Sequence, residues 1–372
     1  MRRSYKFRIY PTKVQLERLD NSLDLLRDFY NAALQERRDA WRLNRIRITC
    51  FDQIRQAPEI RNITNPEYKA VQAQTLNQTL RKLDKAFQGF FRRVKAGRSP
   101  GFPRFKGKGF FNSIIYNGEG YRFRGNKLNL SLIGDLKIKL SRPIEGTIKE
   151  VIAKREGSKW YVVLSCDSVP EHLLEPTGKN VGLDVGIESF ATLSDGTQID
   201  NSRYYESAQK KLRVAVRRVA RRAKGSNRRR KAVAILRSVH QKTFNQRHDF
   251  QHKISTDLIA NNDLIAVEKL NILGMSKGIL SKQIHDASWS SFFHMLRYKA
   301  ESAGRKLVEV DPRGTSQRCT CGETVKKGLS VRWHHCSKCG LSNHRDIVSA
   351  QIILSLGLSG QDLTYRATES VS

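Results

Sequence analysis

The first ten residues alternate, with Tyr5, Phe7 and Ile9 set against Lys6 and Arg8, and they stop at Pro11; this predicts one β-strand. From about Thr12 to Asn44 the spacing becomes helical, with Leu16, Leu19, Leu23, Leu26, Tyr30, Ala33 and Leu34 on one stripe. A second helical stripe follows Pro66 and runs through Leu76, Leu80, Leu83, Phe87 and Phe90–Phe91. These helices would pack as a small bundle. From Ser113 to about Val169 short alternating runs return, cut by turn signals at Gly118-Glu119-Gly120, Gly125-Asn126 and Gly157-Ser158. That pattern predicts a small barrel. The opening strand could join it, which would make the helical bundle an insertion.

Residues 170–179 read as a linker, and strand signals resume at 180–194 and 197–200. Residues 207–248 keep near-helical spacing (Leu212, Val216, Val219, then Val233, Leu236, Val239) with a break at Gly225-Ser226, so they predict two helices joined by a turn. Further on, Leu264–Val267 is a continuous apolar run of the kind a buried parallel strand shows. Ile347, Ala350, Ile353 and Leu354 form a last helical stripe. The chain holds no internal repeat and no extended low-complexity tract.

Charge changes this picture most. The 372 residues carry 68 Lys+Arg against 35 Asp+Glu, a formal net charge of +33. Such an excess repels itself unless a polyanion neutralises it, and nucleic acid is the expected partner. The stretch 207–248 alone holds 15 Lys/Arg and no Asp or Glu. A solvated helix face would carry some counter-charge, so Arg217, Arg218, Arg221, Arg222 and Arg229 are candidate backbone contacts; ribosomal-type RNA binding competes as an explanation. Arg104 and Lys106 belong to a second basic patch, with Phe102 and Phe105 available for stacking. Gln74, Asn77 and Gln78 are amides of the type that read adenine edges, although exposed amides without a role fit equally well. The N-terminus lacks the apolar stretch of a signal peptide and no run approaches a membrane span, so a soluble, cytoplasmic protein without a membrane partner is expected.

Three carboxylates stand where they matter. Asp184 alternates with Leu183 and Val185 in a strand, Glu268 closes the Leu264–Val267 run, and Asp346 opens the last helix. Hydrolysis of a phosphodiester needs an activated water and charge relief on the leaving oxygen. Two Mg²⁺ ions roughly 4 Å apart supply both when carboxylate oxygens hold them. A lone acid beside an apolar run is usually a cap or a surface charge; the order strand Asp, strand-end Glu, helix-start Asp points to an RNase H-like nuclease site. Of six cysteines, Cys50 and Cys166 are isolated. Cys336 and Cys339 make a zinc knuckle with Gly340, whereas Cys319 and Cys321 are separated by one residue rather than two. A four-cysteine ribbon that staples the loop before Asp346, a three-cysteine site completed by His334 or His335, and a ribbon without its metal all remain open.

At this point the chain resembles the TnpB family of insertion-sequence proteins, RNA-guided nucleases related to type V CRISPR effectors. The likeness rests on YKFRIYPT, LNQTLRKLDKAFQGFF, GFPRFKG, GLDVGIESFATLSDG, DLIAVEKLNI, DASWSSFFHMLRYKAESAGR, TSQRCTCG, CSKCG and HRDIVSAQIIL, in the family's order over nearly the whole length. It implies an α+β multidomain protein. A wedge β-barrel (1–11 and 96–172) would carry a helical recognition lobe (12–95). A RuvC-like nuclease domain (178–313 and 343–358) would be interrupted by a zinc ribbon (314–342), with a disordered tail (359–372). The resemblance makes Asp184, Glu268 and Asp346 the ligands of two Mg²⁺, and Cys319, Cys321, Cys336 and Cys339 the ligands of Zn²⁺. It implies a guide RNA from the transposon end and a double-stranded DNA target beside a short flanking motif. The protein would be a monomer in a prokaryotic ribonucleoprotein, associated with the nucleoid through DNA. One departure concerns the site: the family carries D-x-N-A-A-x-N after its last Asp, and this chain has Asp346-Ile347-Val348-Ser349-Ala350-Gln351-Ile352. A nuclease-impaired RNA-guided repressor is therefore the rival expectation.

Overall fold

The computed structural model describes residues 1–328 and 331–369, the side chains of 361–369 excepted. It divides into two compact units, Met1–Pro170 and Glu171–Ser372.

In the first unit the opening strand is β1 (Arg3–Tyr10), followed by helices α1 (Lys13–Asn44), α2 (Cys50–Glu59) and α3 (Ala73–Lys95). Strands β2 (Ser113–Tyr116), β3 (Tyr121–Arg124), β4 (Lys127–Leu130), β5 (Gly134–Lys139), β6 (Thr147–Glu156) and β7 (Lys159–Asp167) complete it. The seven strands pair in the order β2-β6-β7-β1-β5-β4-β3. β1 thus lies mid-sheet, antiparallel to both β7 and β5, and the helices are inserted between β1 and β2. The expected barrel takes the form of a curled half-barrel, because edge strands β2 and β3 do not pair with each other among the described residues. Helices supply the missing cover. Leu19, Leu23, Leu26, Leu76 and Leu80 share one core with Phe7, Ile114, Leu136 and Val162, so lobe and sheet are one hydrophobic unit.

α1 starts where the sequence places it, because Thr12 and Gln15 form a reciprocal capping box. α2 was not anticipated, although its own capping box, Thr49 with Asp52, stands in the sequence.

The second unit begins with β8 (Asn180–Asp184), β9 (Ser189–Leu193) and β10 (Gln198–Asp200). The basic helices α4 (Tyr204–Ala220) and α5 (Asn227–Asn261) follow, then β11 (Leu264–Glu268), α6 (Ile272–Met275), α7 (Ser281–Ala287), α8 (Trp289–Ala303) and β12 (Lys306–Val310). A small hairpin, β13 (Trp333–His335) and β14 (Ser342–His344), leads straight into α9 (Arg345–Glu369). The backbone of the expected tail is therefore helical as far as Glu369, and residues 370–372 lie outside the described residues.

The main sheet has the order β10-β9-β8-β11-β12, with β8, β11 and β12 parallel and β9 antiparallel to β8. Val181, Leu183, Phe190, Ile265, Phe292 and Leu296 fill one side of it. On the other side α9 lies close, at positions where only small residues fit. A Cβ on Gly182 would meet the Ala350 carbonyl oxygen at 2.0 Å, and one on Gly357 would meet the Ala266 Cβ at 2.6 Å. The glycine before Asp184 thus sets the distance between the strand that carries Asp184 and the helix that carries Asp346.

Candidate active site and cysteine cluster

Asp184 and Glu268 end neighbouring parallel strands, paired up to Leu183 with Val267, so the two carboxylates leave the sheet side by side. Asp346 arrives from the first turn of α9, where the helix dipole favours an anion. All three line one cavity of about 330 Å³ together with Glu188, Thr315, Arg332, Arg345 and Ser349. The crevice at the carboxyl ends of strands is where open α/β sheets gather their functional groups.

The electrostatics of this cavity are those of crowded anions. Burial, followed by the charges of Glu268 and Asp346, pushes the Asp184 carboxyl up to about 8, against weaker opposition from the Ser349 hydroxyl and Arg345. Burial also raises Glu268, while its hydrogen bond from the Thr315 hydroxyl works the other way. Arg332 holds the rim, with one nitrogen 3.0 Å from Glu188 and another 3.8 Å from Asp346, and His344 stands 4.0 Å from Asp346. Hard oxygen donors that resist ionisation side by side are the donor set a divalent cation relieves.

Sequence reasoning missed Thr315, Ser349, Arg332 and Glu188. Ser349 had a signal, since it lies one helical turn after Asp346 and stands where the family pattern has alanine. Val348 and Ile352, which replace the family's asparagines, are buried apolar residues rather than site amides.

The four cysteines converge despite the shortened first pair. All four sulfurs lie within 4.8 Å of one another, with Cys319–Cys339 at 3.5 Å and Cys321–Cys336 at 3.7 Å. Thiolates about 2.3 Å from a tetrahedral Zn²⁺ would sit about 3.8 Å apart, so the cluster is compatible with a zinc site. Backbone amides of Cys339 and then Lys338 lower the Cys336 thiol to about 7, whereas the crowding thiols of Cys319 and Cys321 push Cys339 the other way. His334 is buried, with Nδ1 against Lys327 Nζ, and is no member of the cluster. The carboxylates do not form a group as compact as the cysteines do among the described residues.

The basic candidates fare unevenly. Arg217, Arg218, Arg221 and Arg222 are exposed on and just beyond α4. Arg229 is half-buried and donates to the carbonyls of Val219 (2.7 Å) and Arg222 (3.0 Å), which ties the turn between α4 and α5 together. Ala215 and Ala232 are buried in this hairpin, whereas Val216 is exposed; the contact is built from smaller residues than the valine stripe suggested. In the first unit Gln74 and Arg104 are exposed, and Asn77, Gln78 and Lys106 are half-buried. Phe102 packs edge-on against Phe87 and Phe90. No helix among the described residues is long and apolar enough to cross a membrane.

Comparison with known proteins fits this arrangement. Residues 164–278 match a family model described as a probable transposase (OrfB of IS605), residues 289–353 the TNB domain of Cas12f1-like proteins, and residues 1–45 a helix-turn-helix domain model. In this chain the last of these spans covers β1 and α1. The matches define the class: transposon-encoded proteins related to Cas12f1. A protein of Streptomyces pristinaespiralis, provisionally named an RNA-guided DNA endonuclease, is 34% identical over 370 residues, 96% of this chain and 90% of the relative. The similarly named InsQ of Escherichia coli (strain K12) is 30% identical over 343 residues, 84% of each chain. The chain belongs to the TnpB family. Among solved structures, the mini-RNA-guided endonuclease CRISPR-Cas_phi3 overlaps 96% of this chain and 92% of its own, with a TM-score of 0.46 and 11% identity.

Proposed function

We propose that this chain is an RNA-guided, Mg²⁺-dependent DNA endonuclease encoded by an insertion sequence. It cuts DNA matched to a guide RNA from the transposon end, next to a short flanking motif. The observation that carries this reading is the convergence of Asp184, Glu268 and Asp346 on one cavity. The strand order, with two parallel strands delivering Asp and Glu and a packed helix delivering the last Asp, supports reading this unit as an RNase H-like, RuvC-type domain. Asp184, Glu268 and Asp346 would hold two Mg²⁺, which when bound supply an activated water and charge relief on the leaving oxygen. Thr315 orients Glu268 through its hydroxyl, and Ser349 does the same for Asp184. The four cysteines would hold one structural Zn²⁺ in a ribbon just before Asp346. The exposed arginines of α4 would track a nucleic-acid backbone, and Gln74, Asn77 and Gln78 would face the flanking motif.

The test is to purify the protein with its RNA, sequence that RNA, and incubate the particle with matched duplex DNA in Mg²⁺. One defined RNA species and cleavage of matched DNA are expected, with Asp184→Ala abolishing cleavage and leaving DNA binding intact. Binding without cleavage by the wild type would make the protein an RNA-guided repressor. Heterogeneous cellular RNA would remove guidance from the model.

A further inference from the structure

Away from the carboxylates, the first unit contains a lysine that the proposed function leaves unexplained. Lys82 of α3 turns inward and is half-buried; its Nζ donates to the Ser113 hydroxyl at 2.9 Å and lies 4.3 Å from the centre of the Phe111 ring. Phe111 packs on Tyr30 at 6.1 Å, and Lys106 Nζ lies over that Tyr30 ring at 5.7 Å. Each ring of this aromatic pair thus carries one ammonium group over it. Lys154 sits directly across from Ser113 in the β2–β6 pairing.

The cluster is held rather than loose. Lys106 belongs to the Gly/Pro-rich segment 96–112, yet Asn31 grips its backbone twice, donating to its carbonyl at 3.0 Å and accepting its amide at 2.8 Å. Lys154 pairs with Glu156 at 3.0 Å, a carboxylate it shares with Lys6. Neither Lys82 nor Lys106 forms an ion pair among the described residues. Burial, then Lys106, then Lys154 lower the Lys82 amine to about 8. Burying a cation with only a hydroxyl as acceptor is costly, and a ligand that brings negative charge and several acceptor oxygens removes that cost.

We infer that Lys82, Lys106 and Ser113 form a binding site for a single phosphate group. The proposed function bears only on where the phosphate comes from: a nucleic-acid backbone or a terminal phosphomonoester. A phosphate offers oxygens to both ammonium groups and to the hydroxyl at once, and the aromatic pair beneath would keep the lysine stems apart.

Competitive amine labelling of the full chain, freed of nucleic acid and followed by mass spectrometry across a pH series, tests this without reading cleavage. Lys82 should label with a midpoint near 8. A short single-stranded RNA should move that midpoint up by about a unit or more, since an adjacent anion favours the charged amine. Equal protection by RNA with and without a 5′-phosphate assigns the site to backbone phosphate. Protection only by the 5′-phosphorylated RNA or by inorganic phosphate assigns it to a phosphomonoester. A Lys82 midpoint unmoved by all three overturns the inference. Lys82→Met should lose the protection of Lys106, and Lys82→Arg should keep it. Should Lys82→Met fail to fold, Lys106→Gln, on a loop, gives the reciprocal reading: the shift at Lys82 must shrink. An undiminished shift overturns the site. Failure of the nuclease proposal would appear separately, as intact DNA in the cleavage assay.

Discussion

Asp184 is the residue on which stability and chemistry pull in opposite directions. Its carboxyl, raised from 3.8 to about 8 by burial and by the two neighbouring acids, binds more protons folded than unfolded throughout that window. Folding stability contributed by this group is therefore fully present below about 4 and is lost as pH climbs through about 8. Asn at this position has no proton to lose. In a chelator, Asp184→Asn should melt close to the wild type near pH 4 and progressively above it toward pH 9. A difference in Tm that stays flat with pH would show that Asp184 ionises normally. With Mg²⁺ present the order should reverse, because a cation in the cavity rewards the anion that crowding penalises. The places of Glu268 and Asp346 were legible because an apolar run stops at the one and starts at the other, whereas Asp184, expected mid-strand, closes β8 instead. Thr315 was not legible as a partner, since a hydroxyl far along the chain announces nothing until tertiary structure puts a carboxylate beside it; Ser349 carried only its spacing from Asp346.

At the scale of elements, the β13–β14 hairpin ties the cysteine cluster to the candidate active site. Arg345 donates its amide to the Arg332 carbonyl at 2.8 Å, and the next residue is Asp346. Whatever fixes the cysteines thereby fixes the start of α9. Cys336→Ser should lower bound zinc below half an equivalent by elemental analysis and cut cleavage by an order of magnitude or more. DNA binding by the particle should change little, because the exposed arginines of α4 do not depend on the hairpin. Full cleavage without zinc would reduce the ribbon to decoration. The shortened Cys319–Cys321 spacing was the least readable part of this element: spacing along a chain does not state the direction of a sulfur, and here Cys319 pairs with Cys339 at 3.5 Å. Period 2 identified β1 and period 3.6 identified α1, α3, α4, α5 and α9, while β11 was read from an unbroken apolar run, which its burial on both faces explains. They did not reveal α2, whose signal lay in its cap, nor that helices rather than a strand pairing cover the half-barrel's core.

For the whole molecule, a net charge of +33 makes nucleic-acid affinity salt-dependent, but charge counts do not say which cations touch phosphate. The α4–α5 hairpin separates the two cases within a few residues. Arg217, Arg218, Arg221 and Arg222 present exposed side chains, while Arg229 spends two hydrogen bonds of one nitrogen on the carbonyls of Val219 and Arg222. For single strands each phosphate contact adds about 0.7 to the slope of log K against log salt. Replacing the four exposed arginines by Gln should therefore flatten that slope by about 3, if each meets one phosphate, and weaken binding most at low salt. Arg229→Gln should leave the slope where it is and instead lower the thermal midpoint, since its carbonyl partners lose their donor. Filter binding across a salt series, with a melting curve for each variant, distinguishes the two. If Arg229→Gln flattens the slope as much per residue as the exposed set, the arginine leaves the turn when nucleic acid binds. If the fourfold variant leaves the slope unchanged, the polyanion that balances this chain lies elsewhere on its surface.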